Sequence, residues 1–272
     1  MNRAPATAKL NLALVVGPLR EDGRHEVATV LQRIDLADRV SIEHAAELRV
    51  EGFADDTLVR AALERLAEAA STEPRWHARI WKHVPVAAGL GGGSSDAATA
   101  LRLANETLAE RLSPERLHGL AAELGADVPF FLTSGPQLGT GTGTELEPLE
   151  LPQDYWVVLL LPHDQRKAST ADVYAAFDGR DGAAGFEERH MRLRETLAEA
   201  KRPRDLAALP PNDLAASPHA ERLVELGAFR ADVSGAGPAV YGLFLHHAQA
   251  AAAQRALEAL GRTWITVPTW YG

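Results

Sequence analysis

The chain has 272 residues, 46% of them hydrophobic and 24% charged, enough apolar material for one large or two modest domains and too much for disorder. A net charge of −9 without a long Lys or Arg block excludes a general nucleic-acid surface, and zero cysteines exclude disulfides, thiolate metal sites and a cysteine nucleophile. The longest apolar runs, such as Trp156 to Pro162, are far too short to span a bilayer, and no charged-then-apolar leader precedes the first predicted strand; a cytoplasmic protein without membrane contact is expected.

Ala8 to Val16 alternates as a strand, with Leu10, Leu12 and Leu14 on one face and Lys9, Asn11 and Ala13 on the other. Asp22-Gly23 then marks a tight turn, and His25 and Glu26 enter the next segment, which predicts a hairpin. Thr29 to Ile42 reads as strand-rich but broken by a polar turn, with Asp35, Asp38 and Arg39 solvated and assigned no chemistry. Asp56 to Ala70 is an amphipathic helix whose Leu58, Ala62, Leu66 and Ala69 or Ala70 share one side. Trp76 to Val84 alternates as a strand, with Lys82 and His83 at its end, either bordering a nucleotide or standing in solvent.

That strand delivers the chain to Pro85–Asp96, PVAAGLGGGSSD. Gly89, Gly91, Gly92 and Gly93 permit a tight turn with N–H groups close to a ligand. The helical run that follows is capped by Ser94 or Ser95 and carries Ala97, Leu101, Ala104, Leu108 and Leu112 as one apolar stripe. Its partial positive N-terminus adds to the attraction for phosphate. A Walker loop would need Lys and a hydroxyl residue after the last glycine, and a dinucleotide fingerprint would need glycine where Ser94 stands.

Ser113-Pro114-Glu115 opens another helix, with Leu117, Leu120, Ala121 and Leu124 buried and Gly125 ending it. Asp127 comes next, directly before Val128-Pro129-Phe130-Phe131-Leu132. A carboxylate at the edge of an apolar patch is paired or purposeful, so Asp127 is the candidate for chemistry; the plainer alternative is a turn aspartate. Gly135 to Glu147 is glycine-rich and consistent with a loop joining strands, and Tyr155 to Pro162 is an apolar strand. Pro152 marks a boundary between domains 1–152 and 153–272. Lys167-Ala168-Ser169-Thr170 leads into a short helix over 171–177 that carries Tyr174. Asp178 to Arg189 is expected as a mobile surface connection, and Asn212-Asp213-Leu214 as the cap of a helix. A helix ending near Gly227, a strand–glycine turn–strand unit over 231–244, a helix over 248–260 and a strand over 264–268 complete the chain.

PVAAGLGGGSSDAATAL resembles the central phosphate loop of the GHMP kinases, and its GGGSSDAA form is similar to the branch that phosphorylates 4-diphosphocytidyl-2-C-methyl-D-erythritol in non-mevalonate isoprenoid synthesis. AKLN at 8–11, DGRHEV at 22–27, GADVPFFL at 125–132 and SGAGP at 234–238 resemble further segments of that branch, in the same order. The resemblance implies a two-domain α+β fold, with an N-terminal domain like domain 2 of ribosomal protein S5, a ferredoxin-like C-terminal domain, and the active site in the cleft between them. It implies ATP and Mg²⁺, with ATP held by Pro85, Ala88, Gly89, Leu90, Gly91, Gly92, Gly93, Ser94 and Ser95. Lys9 and Asp127 would be the catalytic pair, Asp127 taking the hydroxyl proton, and Asn11, Arg24, His25 and Thr170 would meet the substrate.

Arg24 stands where that branch has a tyrosine, and its guanidinium plane would have to stack on the base instead. No all-protein metal cage is evident; Ser94 or Ser95 would touch Mg²⁺. The expected partner is a small molecule with a cytidine diphosphate group, bound by a monomer or homodimer. Two other readings remain open here: another GHMP alcohol kinase, and a nucleotide-binding module without turnover. The presence of both Lys9 and Asp127 argues against the module, which has no need of a base beside a cation.

Overall fold

The computed structural model describes residues 2–53, 57–164 and 169–269. Two sheets organise them. The first begins with a long hairpin, β1 (Asn2–Leu19) against β2 (His25–His44), turned at Glu21–Arg24 with Gly23 at φ 76°. β2 continues on its other edge to β4 (Trp76–Trp81) and to β5 (Gln137–Thr140). Short β3 (Arg49–Glu51) runs parallel to β4, and β6 (Glu145–Pro148) closes the other end beyond β5. β1 starts earlier than its alternation predicts, and β2 is one continuous strand instead of two pieces around a polar turn.

Three helices cover one face of this sheet: α1 (Thr57–Ala69), α2 (Gly92–Asn105) and α3 (Pro114–Leu124). Their apolar faces, including Ala62, Leu66, Ala97 and Leu101, meet Leu31, Val40 and Ile42 of β2 in one buried cluster. The predicted first residue of α1, Asp56, lies outside the described residues. α3 is capped as expected, Ser113 Oγ accepting from Arg116 N–H at 3.4 Å, and Gly125 ends it. Two expectations for α2 fail. Its cap is the backbone of left-handed Gly91, with Ser94 and Ser95 already inside the first turn. It stops at Asn105, short of Leu108 and Leu112, because the Asn105 side chain turns to bond both N–H and C=O of Leu112 at 2.8 and 3.1 Å.

The second sheet has the order β10-β7-β9-β8, all neighbours antiparallel: β7 (Trp156–Pro162), β8 (Arg230–Val233), β9 (Val240–Phe244) and β10 (Gly261–Thr266). Alternate residues of β7 serve two cores. Val157 and Leu159 join Leu10, Leu12 and Tyr241 in a core shared with β1, whereas Val158 and Leu160 pack with α6 (Pro218–Glu225) and α7 (His247–Leu257) through Leu223, Ala253 and Leu257. Burial on both faces is why the sequence of β7 runs apolar without alternation. Between β7 and β8 lie α4 (Thr170–Asp178) and α5 (Phe186–Glu199); Lys167 and Ala168, expected to lead into α4, lie outside the described residues.

Three polar segments behave differently from their sequence reading. Asn212 starts no helix: its Nδ2 donates to the carbonyls of Val233 and Gly235 at 2.9 and 2.7 Å, its Oδ1 accepts from Leu214 N–H, and α6 begins later behind Ser217. Asp38 is fully buried instead of solvated, accepting from Lys82 and from the N–H groups of His83 and Val84. The 178–189 stretch is pinned instead of being a loose connection. Arg189 donates to Val16 O at 3.1 Å and Gly182 O at 2.9 Å and pairs with Asp213 at 3.1 Å, while Phe186 packs on Gly17, where a Cβ would come within 2.9 Å of its ring. Composition alone hides these partners because most are contributed by segments distant in sequence. Arg189→Met should therefore destabilise the fold by about 1–3 kcal/mol and open 178–186 to limited proteolysis, read as new cleavage fragments beside a lowered Tm.

Candidate functional site

A cleft of about 550 Å³ opens where the two sheets meet the glycine loop, within the size range of small-molecule sites. Its geometry starts in β1. The pairing with β2 slips by one residue between Asn11 and Ala13, a bulge that resets the alternation so that Lys9, Asn11 and Leu14 all border the cleft. The strict alternation read from sequence put Leu14 on the opposite face from Lys9 and Asn11; the extra residue corrects it. Lys9 Nζ donates to Asn11 Oδ1 at 2.6 Å and lies 3.2 Å from Asp127 Oδ2. The lysine side chain is 4% exposed and the aspartate 37%, so the acid faces the cleft and the cation backs it.

Asp127 sits on the turn between α3 and a single 3₁₀ turn, Pro129–Leu132. Arg33 of β2 anchors that turn, donating to the carbonyls of Phe130 at 2.9 Å and Thr133, with its guanidinium carbon 5.2 Å from the centre of the Phe130 ring. Burial and the nearby Arg102 charge push the Arg33 pKa down to about 10.

The glycine loop is held from both sides. Lys9 N–H donates to Leu90 O at 2.9 Å, Ala239 N–H to Ala88 O at 3.0 Å, and Ser234 Oγ to Gly89 O at 3.0 Å. Gly89 has φ 82°, and a Cβ there would stand 2.1 Å from Ser234 O; at Gly91, φ 68°, a Cβ would press on the Phe131 ring and the Lys9 stem. Glycine is needed at both for the left-handed turn and for close backbone approach. The first N–H groups of α2 have no acceptor within the helix and point the positive end of its dipole at the cleft.

Beside the loop, Lys82 lies between two fully buried carboxylates, Asp38 and Asp96, with Asp96 Oδ2 at 2.6 Å. Burial works to lower the Lys82 pKa, but Asp96 and Asp38 together outweigh it and raise it. Phe53, Leu58 and Val86 add an apolar side to the cleft, and Thr142, Gly143, Thr170 and Tyr174 close its far end. The Tyr174 pKa is raised, first by burial and then by the Asp127 charge.

Comparison with known proteins accords with this arrangement. Residues 57–135 match the family model described as GHMP kinases N terminal domain, and residues 219–263 match GHMP kinases C terminal. A 4-diphosphocytidyl-2-C-methyl-D-erythritol kinase of Pelodictyon phaeoclathratiforme is 33% identical over 96% of this chain and 95% of its own. One from an Anaeromyxobacter species is 38% identical over 92% and 84%. The chain belongs to this family of GHMP kinases. A crystal structure of 4-(cytidine 5'-diphospho)-2C-methyl-D-erythritol kinase, 31% identical, superposes with TM-score 0.80 over the full length of both chains. A mevalonate kinase crystal structure, 14% identical with TM-score 0.74 over 98% and 99%, shares the fold alone. The two-domain α+β fold expected from the GHMP resemblance is thus the observed one, and membership in the GHMP kinases carries use of ATP.

Of the residues singled out in the sequence, Lys9, Asn11, Asp127, Thr170, Pro85, Ala88, Gly89 to Gly93 and Ser94 come together around the cleft. Three do not. Ser95 is buried on the other side of α2 beside Arg33 and Thr99, because one residue of helix turns it about 100° away from Ser94. Arg24 is exposed on the hairpin turn, its N–H bonded to Asp22, and among the described residues no arginine lines the cleft. His25 is buried behind the wall: its Nδ1 bonds Gly17 O at 2.8 Å, its Nε2 faces Asp178 at 3.3 Å, and its ring stacks on Tyr174 at 5.0 Å. Tyr174 is the described residue that gives the far end of the cleft an aromatic surface, and sequence spacing gave no reason to bring it to His25.

Removing the cation between the buried acids tests the loop's foundation. Lys82→Met should cost about 3–5 kcal/mol in denaturant unfolding, since it leaves two buried like charges. In the intact protein the raised Lys82 pKa gives stability present below the ordinary lysine value and lost as pH climbs through the raised one.

Proposed function

We propose that the cleft moves the γ-phosphoryl group of ATP onto the 2-hydroxyl of 4-diphosphocytidyl-2-C-methyl-D-erythritol, a step of non-mevalonate isoprenoid precursor synthesis. The observation that carries the reading is the ion pair of buried Lys9 with half-exposed Asp127, 3.2 Å apart, across from a helix N-terminus built to take phosphate. Asp127 accepts the proton of the acceptor hydroxyl as its oxygen attacks phosphorus and ADP departs. Lys9 holds that carboxylate in place and balances charge as it develops, and Asn11 holds Lys9. The reaction needs mainly positioning and charge neutralisation, both of which the loop provides from fixed backbone donors.

The apolar side formed by Phe53, Leu58 and Val86 suits adenine, and the N–H groups of Gly91 to Ser94 suit the phosphates. The far end, with Thr170 and Tyr174, suits the cytidine diphosphate group, Tyr174 offering its ring to the pyrimidine with His25 stacked on it. Among the described residues no group of three His, Cys, Asp or Glu side chains could hold a metal. On this reading Mg²⁺ would be carried mainly by the phosphates, with the Ser94 hydroxyl as its protein contact. Bound there, the ion would neutralise phosphate charge. On this reading the cleft lies between domains 1–152 and 153–272 of a cytoplasmic enzyme, monomer or homodimer; no described helix is long and apolar enough to cross a membrane.

The test is product formation from Mg-ATP and the cytidine compound, followed by phosphorus NMR. The intact chain should turn over, and Asp127→Asn should lose about 10²–10⁴-fold in kcat with nucleotide binding retained. Absence of turnover in the intact chain, with turnover of another alcohol from a substrate panel, would reject the substrate.

A further inference from the structure

We infer that Thr29 is a positioning residue that sets the direction of the Asn11 amide and thereby holds the Lys9 ammonium at its place beside Asp127; this rests on the phosphoryl-transfer reading above. The side chains of Lys9, Asn11 and Thr29 are all buried. An ammonium only donates, and Lys9 Nζ donates to Asn11 Oδ1 at 2.6 Å. An asparagine amide has two unlike ends of nearly the same shape. Turned by half a revolution, Asn11 would present its NH₂ to the lysine and repel it.

What prevents the turn is the other end of the amide. Asn11 Nδ2 donates to Thr29 Oγ1 at 2.8 Å, and Thr29 Oγ1 donates to Ala13 O at 2.8 Å. A carbonyl oxygen only accepts, so the single hydroxyl proton is committed to Ala13 and a lone pair of Oγ1 is left for Asn11. The four groups thus satisfy one set of directions, read from Ala13 O outward to the ammonium. The hydroxyl is itself fixed. Thr29 faces Gly139 in the β2–β5 ladder, and its methyl fills the space where a Gly139 Cβ would come within 3.2 Å. Packing of that methyl on β5 leaves Oγ1 aimed at the bulge in β1. The two carbonyls preceding Ala13, those of Asn11 and Leu12, both accept from Tyr241 Oη, at 3.1 and 3.3 Å, so Ala13 O is the bulge carbonyl left to Thr29.

The experiment compares the full-length protein with Thr29→Val, which keeps the shape and removes the hydroxyl, and Thr29→Ser, which keeps the hydroxyl and removes the methyl. Thr29→Val should lose about 10- to 100-fold in kcat, the cost of a displaced catalytic group, with KM for both substrates within about twofold of the parent. Thr29→Ser should recover most of that loss. The Asn11 side-chain NH₂ resonances, assigned by Asn11→Asp, should be protected from solvent exchange in the parent and Thr29→Ser and unprotected in Thr29→Val. Equal kcat in parent and Thr29→Val, equal impairment of Val and Ser, or a rise in KM at constant kcat would overturn the inference, the last marking Thr29 as a substrate contact. If the parent itself does not turn over, the reaction assigned above fails, and the exchange measurement alone then decides for or against the Thr29–Asn11 bond.

Discussion

The cleft depends on one irregularity, the β-bulge between Asn11 and Ala13 in the first strand. A regular β1 would place Lys9 and Asn11 over the cleft and carry their face onward through Ala13; the extra residue turns Leu14 inward instead and interrupts the ladder at the point where polar groups are needed. The interruption exposes carbonyls that a buried strand cannot leave unpaired. Tyr241 from the second sheet and Thr29 from the neighbouring strand supply the donors. Burial pushes the Tyr241 pKa up to about 12, so its hydroxyl stays a donor at any physiological pH. Arg230 approaches the same oxygen at 3.4 Å while donating to the carbonyls of Leu209 and Pro210, which ties the connection before α6 into the arrangement. One bulge thus couples the first strand to both sheets.

The second coupling is between loops. The glycine loop of the first half and the glycine turn after β8 touch through backbone, with Ser234 O so close to the Cα of Gly89 that no side chain fits between them. Ser234 Oγ also receives Asn11 N–H at 3.4 Å while donating to Gly89 O. The glycine loop after β4, the Lys9–Asn11 strand and the glycine turn after β8 therefore form one hydrogen-bonded body. Donors fixed in advance need no reorganisation during transfer, which is the main way a protein can help a reaction whose covalent chemistry is simple.

Charge is handled locally, against the acidic character of the whole chain. The net −9 would repel a triphosphate over long range, but the groups around the loop are backbone N–H donors, Lys9 and Lys82. Lys82 is held by two buried acids, so it braces β2, the end of β4 and α2 against each other more than it offers charge to a ligand. Arg33 does the same for the Asp127 turn, through carbonyls and aromatic rings. Buried ions of this kind fix geometry at a desolvation cost, which fits their place under the loop and turn that must not move.

Most local elements and the chemical inventory can be read directly from the order of residues. Glycines at 89 and 91 to 93, the cap at Ser113, the hairpin at Asp22-Gly23 and the carboxylate before Pro129 are each legible because their physics is contained within a few neighbouring residues. What it left undetermined were matters of register and of distant partners. The bulge that turns Leu14 inward, the burial of Asp38 under Lys82 and the stacking of His25 on Tyr174 all arise from contacts between segments distant in sequence. Alternation and composition report a face or a propensity; they carry no information about which strand will supply the opposing donor. The tertiary structure decided those points because a buried polar group is stable only where a partner is brought to it, and the fold alone brings the partner.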